Sequence, residues 1–387
     1  MSSPALHAAE LAELRQSIRR SILGRMSSFP GEMNTHGRFT PHMVRTFAEL
    51  GLLGIRLDEC WGGAAMSLRA YCLVQEELAR LSPILSLMVS STSGLAPMAI
   101  QRHGNSHQRQ RYLPPLSAGA MRTCFALTEP EAGSDAAAIT TKAARVSGGW
   151  LINGIKHFIT LADDAQLMMV MAVTDAARRA RGGVTAFLID IPTPGVRISR
   201  VDRTMGTAAW TLAEITFNDV FVADDQVLGT VGRGFSYAME SLDEGRLNVA
   251  SICLGAARWL LEQSAAHARS RVTFGSPLAS RQAIQWMLAD SATEITAAEG
   301  LIERAISTIE TGRPVGALAS MAKLYSSEMA FRVADRAVQI HGAAGVLEHS
   351  PIGAMFRDLR LFRIGEGASE IQRILIARNV LEQVPLT

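Results

Sequence analysis

The chain is poor in cysteine pairing, in net charge and in long apolar runs, and each lack removes a class of protein. Its four cysteines, Cys60, Cys72, Cys124 and Cys253, are scattered and form no Cys-x-x-Cys pair. That argues against a disulfide framework and for a reducing compartment. Lysine and arginine number 38 against 36 acids, a net +2, so no concentrated basic face marks nucleic acid as the main partner. No run approaches the roughly 20 apolar residues of a membrane span. Met1-Ser-Ser-Pro-Ala-Leu-His7 lacks the basic start and unbroken apolar stretch of a secretory signal. His341 has no Cys, His or Asp cluster at metal spacing around it, so no metal is expected and it reads as a helix-end histidine. A soluble, cytoplasmic protein is expected. At 387 residues it exceeds what one core usually serves, so two or three domains are expected.

The texture of the chain changes twice. Leu11, Leu14, Ile18 and Ile22 form one stripe of an amphipathic helix. Thr40-Pro41 opens a second helix carrying Met43, Phe47 and Leu50 inward. Ser67 caps a third through Leu68, Tyr71 and Leu78, with Trp61-Gly-Gly63 breaking the chain between them. From about residue 121 the pattern is β: Asn153-Gly154 between apolar arms predicts a hairpin turn. Strands are expected over Leu167 to Val173, Ala186 to Ile189 and Glu214 to Val222, with Pro192 and Pro194 in a turn. From Gly234 the helical period returns in long segments near 235–270, 280–311 and 315–341, with a terminal helix at 369–382. The expected fold is α+β: an N-terminal helical domain (1–120), a middle β-barrel-like domain (121–229) and a C-terminal four-helix bundle (230–387). Gly229-Thr-Val-Gly-Arg-Gly234 lacks the strand-turn-helix context of a phosphate loop and reads as the linker into that bundle.

Two segments carry chemistry. Phe125-Ala-Leu-Thr-Glu-Pro-Glu-Ala-Gly-Ser-Asp135 ends a short apolar run in a Thr-Glu-Pro corner. On its own it is equally an ordinary turn or a strand end offering N–H groups and hydroxyls to a flat heterocycle such as a flavin. Near the C-terminus stands Arg363-Ile-Gly-Glu-Gly-Ala-Ser-Glu-Ile-Gln-Arg373. In kind, order and separation the pair resembles the acyl-CoA dehydrogenase family, over essentially the whole chain.

The resemblance implies FAD and an acyl thioester, with removal of an α-proton and a β-hydride to give a trans-2-enoyl thioester. It makes Glu366 the base, in an apolar pocket that raises its pKa, with Gly365 and Gly367 freeing the backbone to aim it. Some relatives place the base just before an arginine of the first long C-terminal helix; that position here is Gly245, before Arg246, and Glu244 points about 100° away. The thioester carbonyl would be polarised by the Glu366 N–H and a flavin ribityl hydroxyl, with no charged side chain evident there. Phe125, Leu127 and Thr128 would meet the flavin ring's polar edge, Phe158, Ile159 and Thr160 its other side, and Ser134, Ala368 and Glu370 complete that group. Arg271, Phe274 and Gln282 would serve the phosphates and adenine. Gln339, Gly342 and Ala343 would reach the flavin of a neighbouring subunit, which needs at least a dimer; the resemblance makes a homotetramer the default. Phe158 stands where Trp is frequent, Ala343 where Gly is usual and Ala368 where a hydroxyl residue is usual.

On the substrate side the resemblance places Ser134, Asp243 and Arg246 by the coenzyme A arm, with Gly365 and Gly367 at the acyl group; Asp243 and Arg246 also read as an i, i+3 helix pair. Gly365 replaces a tyrosine of many straight-chain relatives, leaving room for a branch. A loop at Ser90–Ser93 would lie by the acyl tail. An electron-transfer flavoprotein is the implied acceptor. Three alternatives stand beside this reading: an acyl-carrier-protein substrate, an O₂-using oxidase or monooxygenase on the same fold, and a flavin-free interaction module.

Overall fold

The structure is a computed structural model that describes residues 8–383; Met1–His7, read above for a targeting signal, lies outside them. Seven helices come first: α1 (Ala8–Met26), α2 (Phe29–His36), α3 (Pro41–Glu49), α4 (Leu68–Ala79), α5 (Leu85–Ser93), α6 (Leu95–His103) and α7 (Ser106–Ser117). Their starts follow the capping chemistry of the sequence. Thr40 accepts from the Met43 N–H ahead of Pro41, Ser67 from Ala70, and Asn105 with Gln108 forms a reciprocal capping box. Ser90–Ser93 is not a loop as expected but the last turn of α5. The Ser90, Ser91 and Thr92 hydroxyls bond back to carbonyls of the preceding turn, which lets a serine-rich segment stay helical.

Strands β1 (Thr123–Ala126), β2 (Lys142–Val146), β3 (Gly149–Thr160), β4 (Leu167–Val173), β5 (Val184–Asp190), β6 (Val196–Arg203) and β7 (Thr211–Ala223) form one curled sheet. Its order is β1-β4-β2-β3-β7-β6, with β5 also on β4. Strand β4 is apolar throughout because both its faces are covered. Leu167, Met169 and Met171 pack with Ile100, Tyr112 and Leu116 of the helices, while Met168, Val170 and Ala172 pack with Trp150 and Phe187 inside the curl.

The expected Asn153-Gly154 hairpin is wrong. Both residues lie within β3, and the turn is Ser147-Gly148. Register slips between Ile152 and Gly154 against β7, and Asn153 exchanges two 2.9 Å bonds with Asp219. Gly154 is required by crowding: a Cβ there would lie 2.5 Å from Thr141 Oγ1. The residues that spell a turn here spell a bulge.

A 37-residue helix, α8 (Gly234–Ser270), follows, then the two-residue strands β8 (Val272–Thr273) and β9 (Ser276–Pro277). Helices α9 (Gln282–Glu310), α10 (Gly316–His341), α11 (Ala343–Val346), α12 (Pro351–Leu361) and α13 (Ser369–Gln383) complete the chain. Helices α8, α9 and α10 pack on one another, with α12 and α13 against α10. Small buried residues on α8 (Ala250, Ala256, Ala257) and α10 (Ala319, Ala322, Ala330) let them approach closely. Among the described residues no helix is long and apolar enough to cross a membrane, and no cluster has the makings of a metal site.

Candidate active site

A cavity of about 1250 Å³ opens where helices and sheet meet. It exceeds the usual 300–1,000 Å³ of a small-molecule pocket, which suits a two-part occupant. One wall is the end of β1 with the following turn (Phe125, Leu127, Thr128, Ser134) and the end of β3 (Phe158, Ile159, Thr160). The opposite wall is α8 (Asp243, Gly245, Arg246) and the α12–α13 connector (Gly365, Glu366, Gly367, Ala368). Two segments more than two hundred residues apart in sequence therefore face each other across one space.

The β3 wall is shaped by a second slip of register, between Lys156 and Ile159. Before it the even residues Trp150, Ile152 and Lys156 point inward; after it Ile159 does. The phase change turns Phe158 out at φ +55°, 56 % exposed and stacked on His157 at 3.9 Å. Inward-pointing Lys156 is fully buried and donates to Leu127 O and to Glu129 Oε1, both at 2.8 Å. Glu129 also accepts from the N–H groups of Thr140 (2.6 Å) and Thr141 (3.0 Å). Burial opposes its charge, but Lys156 and these donors hold its carboxyl down to about 2. The His157 N–H binds Thr128 O at 2.9 Å. The 127–129 corner is thus locked to β3.

On the other wall Glu366 adopts φ +54°, a conformation that non-glycine residues hold only when their surroundings impose it. Three groups impose it. Gln372 Nε2 donates to Glu366 O (3.2 Å) and Gly367 O (2.9 Å), Lys323 Nζ donates to Gly367 O at 2.7 Å, and the Ser369 N–H reaches back to Arg363 O. Glu366 Oε2 is sealed from solvent without a hydrogen-bond partner. Burial pushes the carboxyl up to about 7, against the opposing pull of Lys323 and then Arg246. Lys323 is itself pushed down to about 8 by burial. The expectation of no charged side chain around this centre is therefore corrected: two cations face it.

Gly245 is where α8 meets the acid; a Cβ there would fall 2.2 Å from Glu366 Oε2. Glu244 points away and is paired with Arg56 and Arg102. Asp243 and Arg246 do pair, at 2.6 Å, and both line the cavity. A Cβ on Gly365 would meet only Leu361 O at 3.7 Å, so the space beside the acid is open.

Arg271, Phe274, Gln282, Gln339, Gly342, Ala343 and Glu370 do not line this cavity; all seven are exposed. Six of them gather around the far end of α8. Phe274, 97 % exposed, crowns the β8–β9 turn under Arg281, and His341 stacks on His267 at 4.5 Å while its Nδ1 meets Ala337 O.

The three domain descriptions of one family match in order: the acyl-CoA dehydrogenase N-terminal domain over residues 8–120, the middle domain over 124–220 and the C-terminal domain over 232–381. This chain belongs to the acyl-CoA dehydrogenase family. It is 36 % identical to the caffeyl-CoA reductase–Etf complex subunit CarC of Acetobacterium woodii, over 91 % of this chain and 93 % of that one. To the mitochondrial short-chain specific acyl-CoA dehydrogenase of Bos taurus it is 35 % identical, over 96 % and 91 %. The butyryl-CoA dehydrogenase structure from Megasphaera elsdenii superposes with a TM-score of 0.89 at 31 % identity, covering 98 % of this chain and 100 % of that one. As a member of the acyl-CoA dehydrogenase family the chain is an oxidoreductase acting on acyl-CoA.

Glu129, Lys156, Lys323 and Gln372 are site residues that sequence reasoning left without a role. Each left a trace: Glu129 and Gln372 inside the two quoted segments, Lys156 on the inward phase of an apolar strand, and Lys323 inside an Ala/Ser stripe of α10.

Proposed function

We propose that this protein is an FAD-dependent dehydrogenase of acyl-CoA thioesters, with Glu366 as the α-proton base. The observation that carries this reading is Glu366 on a pinned connector, lining a large cavity opposite an aromatic-lined wall, with one carboxylate oxygen sealed and unpartnered. FAD is the cofactor, and the residues fit its flavin: Phe158 presents a ring face, Thr128, Thr160 and Ser134 present hydroxyls, and the locked 127–129 corner presents backbone. Bound there, FAD supplies the two-electron acceptor for the β-hydride.

The chain's own residues do the rest. Burial raises Glu366 into the range where a carboxylate is a useful base near neutral pH, and Lys323 and Arg246 keep it from rising further. Because φ at Glu366 is held from Gln372 and Lys323, the carboxylate is aimed before substrate arrives. Gly245 clears the space in front of it. Arg246, half-neutralised by Asp243, and Ser134 are the proposed contacts of the coenzyme A arm. Open space at Gly365 supports an acyl group branched near the reacting carbons.

The exposed group at the far end of α8 supports a homo-oligomer, proposed as a homotetramer. Arg271, Phe274 and Gln282 with the neighbour-reaching Gln339, Gly342 and Ala343 would serve the dinucleotide end of FAD across a subunit contact. Val272, Phe274 and Trp286 form the exposed apolar surface such a contact would cover. An electron-transfer flavoprotein is the proposed acceptor, in keeping with the relative named as part of an Etf complex. Four free cysteines, three of them buried, support a reducing, cytoplasmic setting.

The test is Glu366→Gln. The purified variant should stay yellow and lose flavin reduction by an acyl-CoA about 10²–10⁴-fold, the usual contribution of a positioned general base. Unchanged reduction with flavin retained would refute the assignment.

A further inference from the structure

One part of the cavity lining, beside Glu366, is polar. Ser241, Gly245 and Asn248 share one face of α8 at spacings of four and three. Gly245 abuts Glu366, and Asn248 comes one turn later, about 4.5 Å along the axis. Asn248 Nδ2 donates to Ser90 Oγ at 3.0 Å. Ser90 gives its own proton to Ser86 O at 2.9 Å, so its oxygen accepts both from Asn248 and from Gln75 Nε2 at 3.1 Å. Gln75 Nε2 also donates to the Tyr71 hydroxyl oxygen at 2.9 Å. The Ser90–Ser86 bond thereby fixes both amide orientations.

That chain of bonds leaves defined loose ends. Asn248 Oδ1 and Gln75 Oε1 have no partner. The Tyr71 proton has only Ser90 Oγ, at a long 3.4 Å. Asn248, Tyr71 and Gln75 are 6 %, 2 % and 0 % exposed, and Tyr71, Ser90 and Asn248 line the cavity. Arg56 lies over the Tyr71 ring at 5.5 Å and is already matched by Glu244, so no unpaired cation awaits a carboxylate. The orphaned acceptor is already closed to water, so only a donor that meets it directly would satisfy it; a methyl-ended acyl chain seated here would leave it unmet and would also cover the phenol, at a cost in free energy.

We propose that Asn248, Ser90 and Tyr71 form a recognition subsite for an acyl group bearing a neutral hydroxyl, alcohol or phenol, several bonds beyond the reacting carbons. The hydroxyl donates to Asn248 Oδ1 and accepts from the Tyr71 O–H. This rests on the dehydrogenase reading for the placement of the acyl chain. It is a specificity device: a site built to hydrogen-bond a substrate hydroxyl discriminates strongly against the analogue that lacks it.

The experiment compares pairs equal in heavy atoms or ring: 5-hydroxypentanoyl-CoA with hexanoyl-CoA, and 3-(4-hydroxyphenyl)propanoyl-CoA with 3-phenylpropanoyl-CoA. With the wild-type holoprotein, at least one hydroxylated member should reduce the flavin at least tenfold more efficiently (rate over Kd) than its partner. In Asn248→Leu and in Tyr71→Phe the preference should collapse towards unity through Kd. Binding of the same pairs to Glu366→Gln holoprotein, read by calorimetry, should show the same preference without turnover. Equal or better use of both apolar members by the wild type, or a preference that survives both substitutions, overturns the proposal. If none of the four reduces the flavin, the dehydrogenase reading fails, while the calorimetric comparison still decides the subsite.

Discussion

Replacing Lys323 with methionine should move the pH rise of flavin reduction upward. The ammonium is fully buried on α10, donates to Gly367 O at 2.7 Å, and faces a carboxyl that burial has raised to about 7 while Lys323 pulls it back. On the proposed mechanism Glu366 acts only when deprotonated, so the rate should climb as pH passes its pKa, and removing a neighbouring cation raises that pKa. A charge so placed moves a carboxyl by about one unit or more, about 1.4 kcal/mol. A midpoint moved from about 7 to about 8 cuts the deprotonated fraction at pH 7 from about a half to about a tenth, roughly a fivefold loss. Most of that loss should be recovered by pH 9, leaving a pH-independent remainder from the freed Gly367 carbonyl. The assay is anaerobic stopped flow from pH 6 to 9.5, following flavin bleaching on holoprotein of matched flavin content. Lys323→Arg, which keeps a cation, should hold the midpoint closer to the wild type. A midpoint in the methionine variant equal to or below the wild type would refute the coupling of this charge to Glu366.

Gly245→Ala should slow flavin reduction at least tenfold with flavin content unchanged, since its Cβ would fall 2.2 Å from Glu366 Oε2; wild-type rates would mean the connector yields freely. Lys156→Met leaves Glu129 charged and buried, and should lower unfolding stability by about 3–5 kcal/mol, read by denaturant titration of the holoprotein; a loss under 1 kcal/mol would deny the lock. Because Glu129 is held down to about 2, its contribution is fully present above the ordinary carboxylate value and fades as pH falls towards 2, so the wild-type and Lys156→Met stabilities should converge in acid. Arg271→Ala should weaken FAD retention on gel filtration without altering the pH midpoint of the protein that keeps its flavin.

Much of this fold is legible in the sequence. Long helical periods, the apolar run of β4 and the Thr40 and Ser67 caps are local signals, and each sits where local chemistry puts it. The place of Glu366 at the cavity is legible because its neighbours form a motif. What the sequence concealed is what depends on distant partners. Asn153-Gly154 has the composition of a turn, and only Thr141 packing over Gly154 and Asp219 pairing with Asn153 make it a bulge. Lys323 and Lys156 carry no local signal of their partners, and only the fold buries them against Gly367 O and Glu129. The serines of α5 read as a loop because their back-bonding is invisible without the helix.

One unbroken helix joins the cavity to the exposed group proposed to serve the dinucleotide. From Gly245, under the acid, to Ser270, just before the exposed aromatic crown, α8 runs 26 residues, about 39 Å of rod. A rod has no hinge to absorb a disturbance, so prising apart the copies of the proposed oligomer at the crown should tilt the lever that sets clearance before the carboxylate. Dilution, mild heat or a mutation among Val272, Phe274 and Trp286 should then cost colour and turnover together, in one event.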